Sequence, residues 1–173
     1  MTSRRKTQAI AFSGIAAALC VVLLYFGSII DVLDYTVSAF CGIIITVVLA
    51  EFGKSAAIGV WISSSVLALL LIPSKISALL FVSFCGWYPM IKRGLETLPR
   101  IFSIILKALI FNVILAVIFI VTIKVFMIEG IGIATAAGVF LLSNAVFVIY
   151  DILISRITAL YILRLRKKLT FLK

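Results

Sequence analysis

One polar stretch divides this chain into two apolar blocks: FCGWYPMIKRGLETLPR, residues 84–100. It contains two prolines, the aromatic pair Trp87 and Tyr88, and three basic residues. Aromatic pairs of this kind are frequent where a helix meets the membrane interface, so an anchoring role is predicted for both rings. The side of a membrane on which the stretch lies also fixes the side of every other loop, so it decides the topology.

The composition on either side of this stretch is that of a membrane protein. Hydrophobic residues make up 65% of the 173 positions, more than the interior of a soluble domain of this length can hold. A helix needs about 20 apolar residues to cross a bilayer. The length therefore predicts an all-α, polytopic integral membrane protein with six transmembrane helices, in a single membrane domain over residues 1–173.

The apolar segments give approximate limits for these helices. Six spans are predicted at residues 9–27, 35–50, 55–72, 76–91, 101–126 and 131–154. A basic tail at residues 155–173 follows them and is expected to lie at, or leave, the membrane surface. Pro89 falls in the last turn of the fourth span, where a kink or an end of the helix is expected.

The basic residues orient the spans. If the N-terminus lies inside, thirteen of the sixteen basic residues are also inside, and Lys75 and Lys124 are outside, with Lys107 within the fifth span. Inner loops of membrane proteins are enriched in Lys and Arg. The sequence therefore predicts cytoplasmic termini, a cytoplasmic loop at residues 92–100 and a multi-pass location in a bacterial cell membrane. Lipid, rather than nucleic acid, explains the net charge of +10.

Several chemistries are disfavoured by what the sequence lacks. It contains no histidine, and its six acidic residues are scattered. It also lacks the Gly-x-x-x-x-Gly-Lys-Ser/Thr loop that binds nucleotide phosphates. No enzyme activity, catalytic residue, metal site or cofactor is predicted. The three cysteines, in apolar segments, are expected to be buried free thiols.

Ionisable residues at membrane depth are costly and need a partner or a function. The short connection at residues 127–130 makes the last two spans an antiparallel hairpin, in which residues at equal depth have numbers of nearly constant sum. Lys107 and Asp151 sum to 258, and Asn112 and Asn144 to 256. An ion pair and an amide contact are therefore predicted, which either hold the hairpin together or form part of a proton or ion relay.

A further set of polar residues falls at the outer ends of the spans. Together with Ser74, they provide the hydroxyl, carboxylate and amine groups that a small-solute site needs. The alternative for any one of them is an ordinary loop residue. The candidate substrate-binding residues are Asp31, Asp34, Tyr35, Ser38, Lys75, Ser77, Lys124 and Glu129.

Small residues recur at four-residue spacing on two spans. The first carries Ala9, Ser13 and Ala17, with Gly14 and Ala18 alongside, and the third carries a similar stripe. Such stripes let helix backbones approach closely. They indicate either packing within the protein or docking of a partner subunit.

In architecture, and in the stripe at Ala9, Ser13 and Ala17, the chain resembles the substrate-binding S component of energy-coupling factor (ECF) transporters. That resemblance implies vitamin or micronutrient uptake, a transmembrane coupling subunit that docks on the first helix, and a separate pair of ATPases. It does not indicate the ligand.

A second set of residues resembles one found in uncharacterised membrane proteins of Gram-positive anaerobes, a resemblance that implies no function: Gly86-Trp-Tyr-Pro89, Lys92, Glu96, Lys107, Asn112, Asn144 and Tyr150-Asp151. The alternative function is a non-transporting assembly, immunity or regulatory protein, which would act through its cytoplasmic loop and basic tail.

Overall fold

The computed structural model describes residues 3–29, 33–126, 133–161 and 163. All regular secondary structure within these ranges is helical, as predicted. The α-helices are α1 (Ser3–Gly27), α2 (Asp34–Phe52), α3 (Lys54–Leu71), α4 (Lys75–Leu80), α5 (Tyr88–Leu95), α6 (Arg100–Phe126) and α7 (Ile133–Leu160), and the segment Phe81–Cys85 is π-helical.

Four of the described helices contain segments that are long and apolar enough to cross a membrane: Arg5–Gly27, Lys54–Leu71, Arg100–Thr122 and Thr135–Leu160. The apolar part of α2, Thr36–Phe52, is shorter. The length and composition of these helices are compatible with a membrane protein. Helix α7 continues to Leu160, beyond the predicted end of the last span at residue 154. The first residues of the predicted basic tail are therefore part of this helix.

The predicted fourth span, residues 76–91, is not one continuous α-helix. It consists of α4, the π-helical segment, a turn at Gly86 and Trp87, and the start of α5. Pro89 lies in the first turn of α5, where its missing N–H costs least. The break thus precedes the proline, and α5 continues through Lys92 to Leu95, which the sequence had assigned to a loop from residue 92 onwards.

Gly86 fits this break because the indole of Trp61 lies against it. A Cβ added to Gly86 would be 2.3 Å from Trp61 Cδ1 and 2.9 Å from the carbonyl oxygen of Phe81. The Gly86 N–H donates to that same carbonyl at 2.8 Å, which closes the π-helical turn. A residue with any side chain would therefore displace either the indole or the turn.

The described residues form two compact units, of which the first comprises residues 1–90 and 154–173. In this unit α1 packs against α2 and α3, and the face of α1 that carries Ala16, Cys20 and Leu24 is buried. The thiols of Cys20 and Cys41 each point at the other residue's carbonyl oxygen, at 3.9 and 3.5 Å. Both are buried thiols, whereas Cys85, also predicted to be buried, is half-buried.

Tyr88 belongs to this core, which corrects its predicted role as an interface anchor. Its side chain is buried, and its ring centroid lies 4.6 Å from that of Phe84. Trp87 is half-buried, and its indole N–H donates to the carbonyl of Ser83 at 2.6 Å. Both rings are therefore held by the protein itself.

The second unit comprises residues 91–153 and contains the α6–α7 hairpin. Phe111 stacks on Phe147 with a centroid distance of 4.4 Å, and Phe119 meets Phe140 edge-on at 5.8 Å. Both pairs follow the antiparallel register expected for the hairpin. Elsewhere α6 and α7 expose large apolar side chains, as helices in contact with lipid do.

Candidate functional site

The second unit contains a cluster of four charged side chains, Lys92, Glu96, Lys107 and Asp151, here named the charge cluster. Lys92 Nζ donates to the carboxylate Oδ1 and to the main-chain carbonyl of Asp151, and lies 3.5 Å from Glu96 Oε1. Lys107 Nζ lies 3.2 Å from Glu96 Oε1 and 3.4 Å from each carboxylate oxygen of Asp151. Each lysine therefore contacts both carboxylates.

Burial makes this pairing necessary. The side chains of Lys92 and Lys107 are only 4% and 8% exposed, whereas Asp151 is 25% and Glu96 47% exposed. A buried ammonium without a counter-ion costs several kcal/mol, and two negative charges opposite two positive charges offset part of that cost. The charge cluster is thus neutral and internally paired, and it joins α5, α6 and α7 within the second unit.

The register of the hairpin predicted the contact between Lys107 and Asp151 but not the other half of the cluster. Lys92 and Glu96 were assigned to a cytoplasmic loop, where charged side chains would be solvated. The signal that points to them is their i, i+4 spacing, which brings two side chains together on a helix. Because α5 extends through Lys92, that residue is turned into the unit instead of towards water.

Further along the hairpin, Asn112 and Asn144 exchange two hydrogen bonds. The amide of Asn112 donates to Asn144 Oδ1 at 2.9 Å, and the amide of Asn144 donates to Asn112 Oδ1 at 3.0 Å. Each amide also donates to the carbonyl one turn before it on its own helix. Both side chains have their donors and acceptors satisfied, which suits a contact that fixes helix register.

In the first unit a different polar group joins the start of α2 to the start of α4. Asp34, Ser38, Ser74 and Ser77 form a closed circuit of hydrogen bonds, here named the polar ring. Ser38 Oγ donates to the carbonyls of Asp34 (2.8 Å) and Ser77 (3.3 Å). Ser77 N donates to Ser74 Oγ (3.5 Å), and Ser74 Oγ donates to Asp34 Oδ2 (2.7 Å).

Two oxygen atoms of the polar ring are buried without a hydrogen-bond partner among the described residues. They are Asp34 Oδ1 and Ser77 Oγ. Asp34 as a whole is 6% exposed, and Ser38 and Ser77 are fully buried. The carboxylate of Asp34 forms no ion pair with any basic side chain that the structure describes.

Burial of the Asp34 carboxylate is compensated only in part by its surroundings. Asp34 is the first residue of α2, and the helix N-terminus favours a carboxylate by about 0.3–1 kcal/mol, or about 2 kcal/mol in a partly buried site. The Ser74 hydroxyl adds one hydrogen bond, at Oδ2. Burying a carboxylate without a counter-ion costs several kcal/mol. A positively charged or hydrogen-bonding group at Oδ1 would therefore stabilise it further.

Three of the predicted substrate-binding residues, Asp34, Ser38 and Ser77, thus come together, and Ser74 joins them. Lys75 does not, because its ammonium donates to the carbonyls of Leu69 and Ile72 at the end of α3.

The remaining candidates are not part of the polar ring as described. Lys124 is exposed in the last turn of α6. Asp31, Glu129 and the side chain of Tyr35 lie outside the described residues.

The small-residue stripe of α1 does not face outward as a docking surface would. Ala17 is buried in the core of the first unit, and Ala9 and Ser13 are half-buried. The reason is helical geometry, because Ala17 shares a face with Cys20 and Leu24. Of the three residues predicted for partner docking, Ala17 therefore packs inside the first unit.

The small residues that α1 does expose lie on its opposite face. They are Ala11, Gly14 and Ala18. A side chain added at Gly14 would meet nothing within 4 Å.

The side chains at the charge cluster and the polar ring offer few ligands for a transition metal. No group of three or more His, Cys, Asp or Glu side chains suited to a metal ion occurs in the part of the chain that the structure describes. Among the described residues, no buried side-chain atom of the charge cluster lacks a hydrogen-bond partner, whereas the polar ring has two such atoms. The polar ring is therefore the better candidate for binding.

No protein-family model, no curated protein and no solved structure matches the chain.

Proposed function

We propose that the chain is the membrane-embedded, solute-binding subunit of a micronutrient importer that separate ATPases energise. One observation carries this proposal. Three residues predicted to bind solute at the outer ends of the helices, Asp34, Ser38 and Ser77, meet in the polar ring, where two buried oxygens have no partner among the described residues. Binding sites are built from a few convergent polar groups of this kind in apolar surroundings.

The topology proposed for this role has six spans and both termini in the cytoplasm of a bacterial cell. The excess of basic residues in the inner loops and tail supports it. Lys92 is taken up by the charge cluster, so twelve inner basic residues remain against two outer ones, and the orientation is unchanged. In this orientation the polar ring is at the outer side, where an importer receives its solute.

The proposed partner is a transmembrane coupling subunit, which docks on the exposed small-residue face of α1. Ala11, Gly14 and Ala18 leave that face shallow enough for another helix to approach closely. Because this sequence has no nucleotide-binding loop, ATP hydrolysis belongs to partner proteins.

Co-purification tests the proposal. Affinity-tagged protein, extracted in a mild detergent, should bring down a coupling protein and two ATPases, identified by mass spectrometry together with bound small molecules. Ala18→Trp should reduce recovery of these partners, because the large ring prevents close helix contact. Leu70→Trp, on an exposed face of α3, is the matched control and should leave recovery unchanged. Extraction that recovers no ATPase contradicts the proposed function and favours a non-transporting membrane protein.

A further inference from the structure

We infer that the polar ring binds a small monovalent cation, Na⁺, through Asp34 Oδ1 and Ser77 Oγ. The inference deepens the proposed function, on which any role of the ion in transport rests, whereas ion binding itself is measured on the isolated protein. Both atoms are buried and have no hydrogen-bond partner among the described residues. They belong to residues that the hydrogen bonds of the ring hold next to each other.

The chemistry of the ring selects a hard cation. Its side chains offer one carboxylate and three hydroxyls as possible cation ligands. The main-chain carbonyl oxygens of Asp34 and Ser77 also belong to the ring. Oxygen ligands of this kind prefer alkali and alkaline-earth ions to the metals that bind imidazole or thiolate. Membrane proteins bind Na⁺ through oxygen ligands, including main-chain carbonyls where helices are interrupted.

Charge narrows the choice to a monovalent ion. The ring contains a single carboxylate, and no Lys or Arg in the described ranges is paired with it. Lys75, next to Ser74 in the chain, is engaged with two carbonyls at the end of α3. A single positive charge balances Asp34, whereas a divalent ion would leave the buried site with an uncompensated charge.

Size favours Na⁺ over K⁺. Ser38 and Ser77 are fully buried, so an ion bound beside them must be accommodated among packed atoms. The smaller ion requires less displacement of α2 and α4.

The experiment measures the thermal stability of the full chain in detergent, by the fluorescence of its two tryptophans, in NaCl, KCl and choline chloride at equal ionic strength. A ligand that binds the folded state raises the melting temperature in a saturable way. We expect saturable stabilisation by Na⁺ alone, together with direct binding of ²²Na⁺. Equal melting temperatures in the three salts with no ²²Na⁺ binding, or a shift that K⁺ or choline reproduces, would overturn the inference.

Two variants assign the site. Asp34→Asn should abolish the Na⁺-dependent shift, and Ser77→Ala should weaken the apparent affinity by roughly tenfold or more. Ser77→Ala also serves if Asp34→Asn does not fold.

The matched controls are Glu96→Gln, a carboxylate in the charge cluster, and Ser63→Ala, whose hydroxyl bonds only carbonyls of its own helix among the described contacts. Both should keep the full Na⁺ response. An unchanged response in Ser77→Ala and Asp34→Asn refutes the site, whether or not partner ATPases co-purify.

Discussion

Lys92 and Asp151, which are 59 residues apart in the chain, are joined at two points: the Lys92 ammonium donates to the carboxylate and to the main-chain carbonyl of Asp151. The lysine is almost completely buried, so this contact helps to compensate for its lost hydration. Residues 92–100 therefore do more than connect two spans, because the start of this stretch is part of the packed interior of the second unit.

Replacing Lys92 by methionine tests this contact. Lys92→Met keeps the length of the side chain but removes one of the two lysines that pair with Asp151, so we expect a loss of about 1–3 kcal/mol in the free energy of unfolding. The lower part of that range reflects the 25% exposure of Asp151. Denaturant unfolding in detergent micelles measures the change. Arg93→Met, at the exposed neighbouring position, is the control, and equal stability of the two variants would contradict the role of Lys92.

The two carboxylates of the charge cluster, Asp151 and Glu96, should contribute unequally to the stability of the protein. Asp151→Asn removes the less exposed of the two negative charges that face the buried ammonium groups, and should cost about 2–4 kcal/mol. Glu96→Gln should cost less than about 1 kcal/mol, because Glu96 is 47% exposed and water screens its interactions. The melting temperatures of both variants in one detergent give the order. If Glu96→Gln were less stable than Asp151→Asn, the less exposed carboxylate would not be the more stabilising one, contrary to this prediction.

The amide pair of the hairpin should show a measurable coupling energy. Asn112→Ala and Asn144→Ala each remove two reciprocal hydrogen bonds, so the double variant should be less destabilised than the sum of the single ones. The expected coupling is about 0.6–2 kcal/mol, the usual range for hydrogen bonds between membrane helices. A double-mutant cycle of unfolding free energies measures it, and strict additivity would exclude a direct contact.

Gly86 should tolerate no side chain. Gly86→Ala places a methyl group against the Trp61 indole and should destabilise the protein by about 1–3 kcal/mol. Trp61→Phe should recover part of this loss in the double variant, since it removes the indole nitrogen from the contact.

Gly94→Ala is the matched control, because a Cβ there meets nothing within 4 Å and alanine favours a helix by up to about 1 kcal/mol. Equal effects of the two alanine substitutions on the melting temperature would argue against the close approach at Gly86.

The contact between Asn112 and Asn144 illustrates what could be predicted from the sequence. A short connection between two apolar segments leaves only an antiparallel hairpin, and a hairpin has a single register for residues at equal depth. The same reasoning gave the proximity of Lys107 to Asp151. It depends on local chain geometry alone, which is why it needs no knowledge of the other helices.

Lys92 and Ala17 show why the remainder could not be predicted. A basic residue after a proline resembles a loop charge, and the i, i+4 spacing of Lys92 and Glu96 does not by itself show that Lys92 turns inward. A small residue suits an internal contact as well as an external one, and only the packing of α1 on α2 and α3 decides between them. The partnerless oxygens of Asp34 and Ser77 are equally invisible in the sequence, because they depend on which atoms fill the space around them.

By itself, the sequence determined that this is an all-α protein with apolar helices long enough for a membrane, because hydrophobicity and helix length are local properties. It also determined the register of the last hairpin. The tertiary structure alone decided that residues 84–100 begin with a π-helical break, continue as a helix and bury Lys92 against Asp151. The physical reason is that the cost of a buried charge or a close backbone approach depends on neighbours that lie far away in the chain.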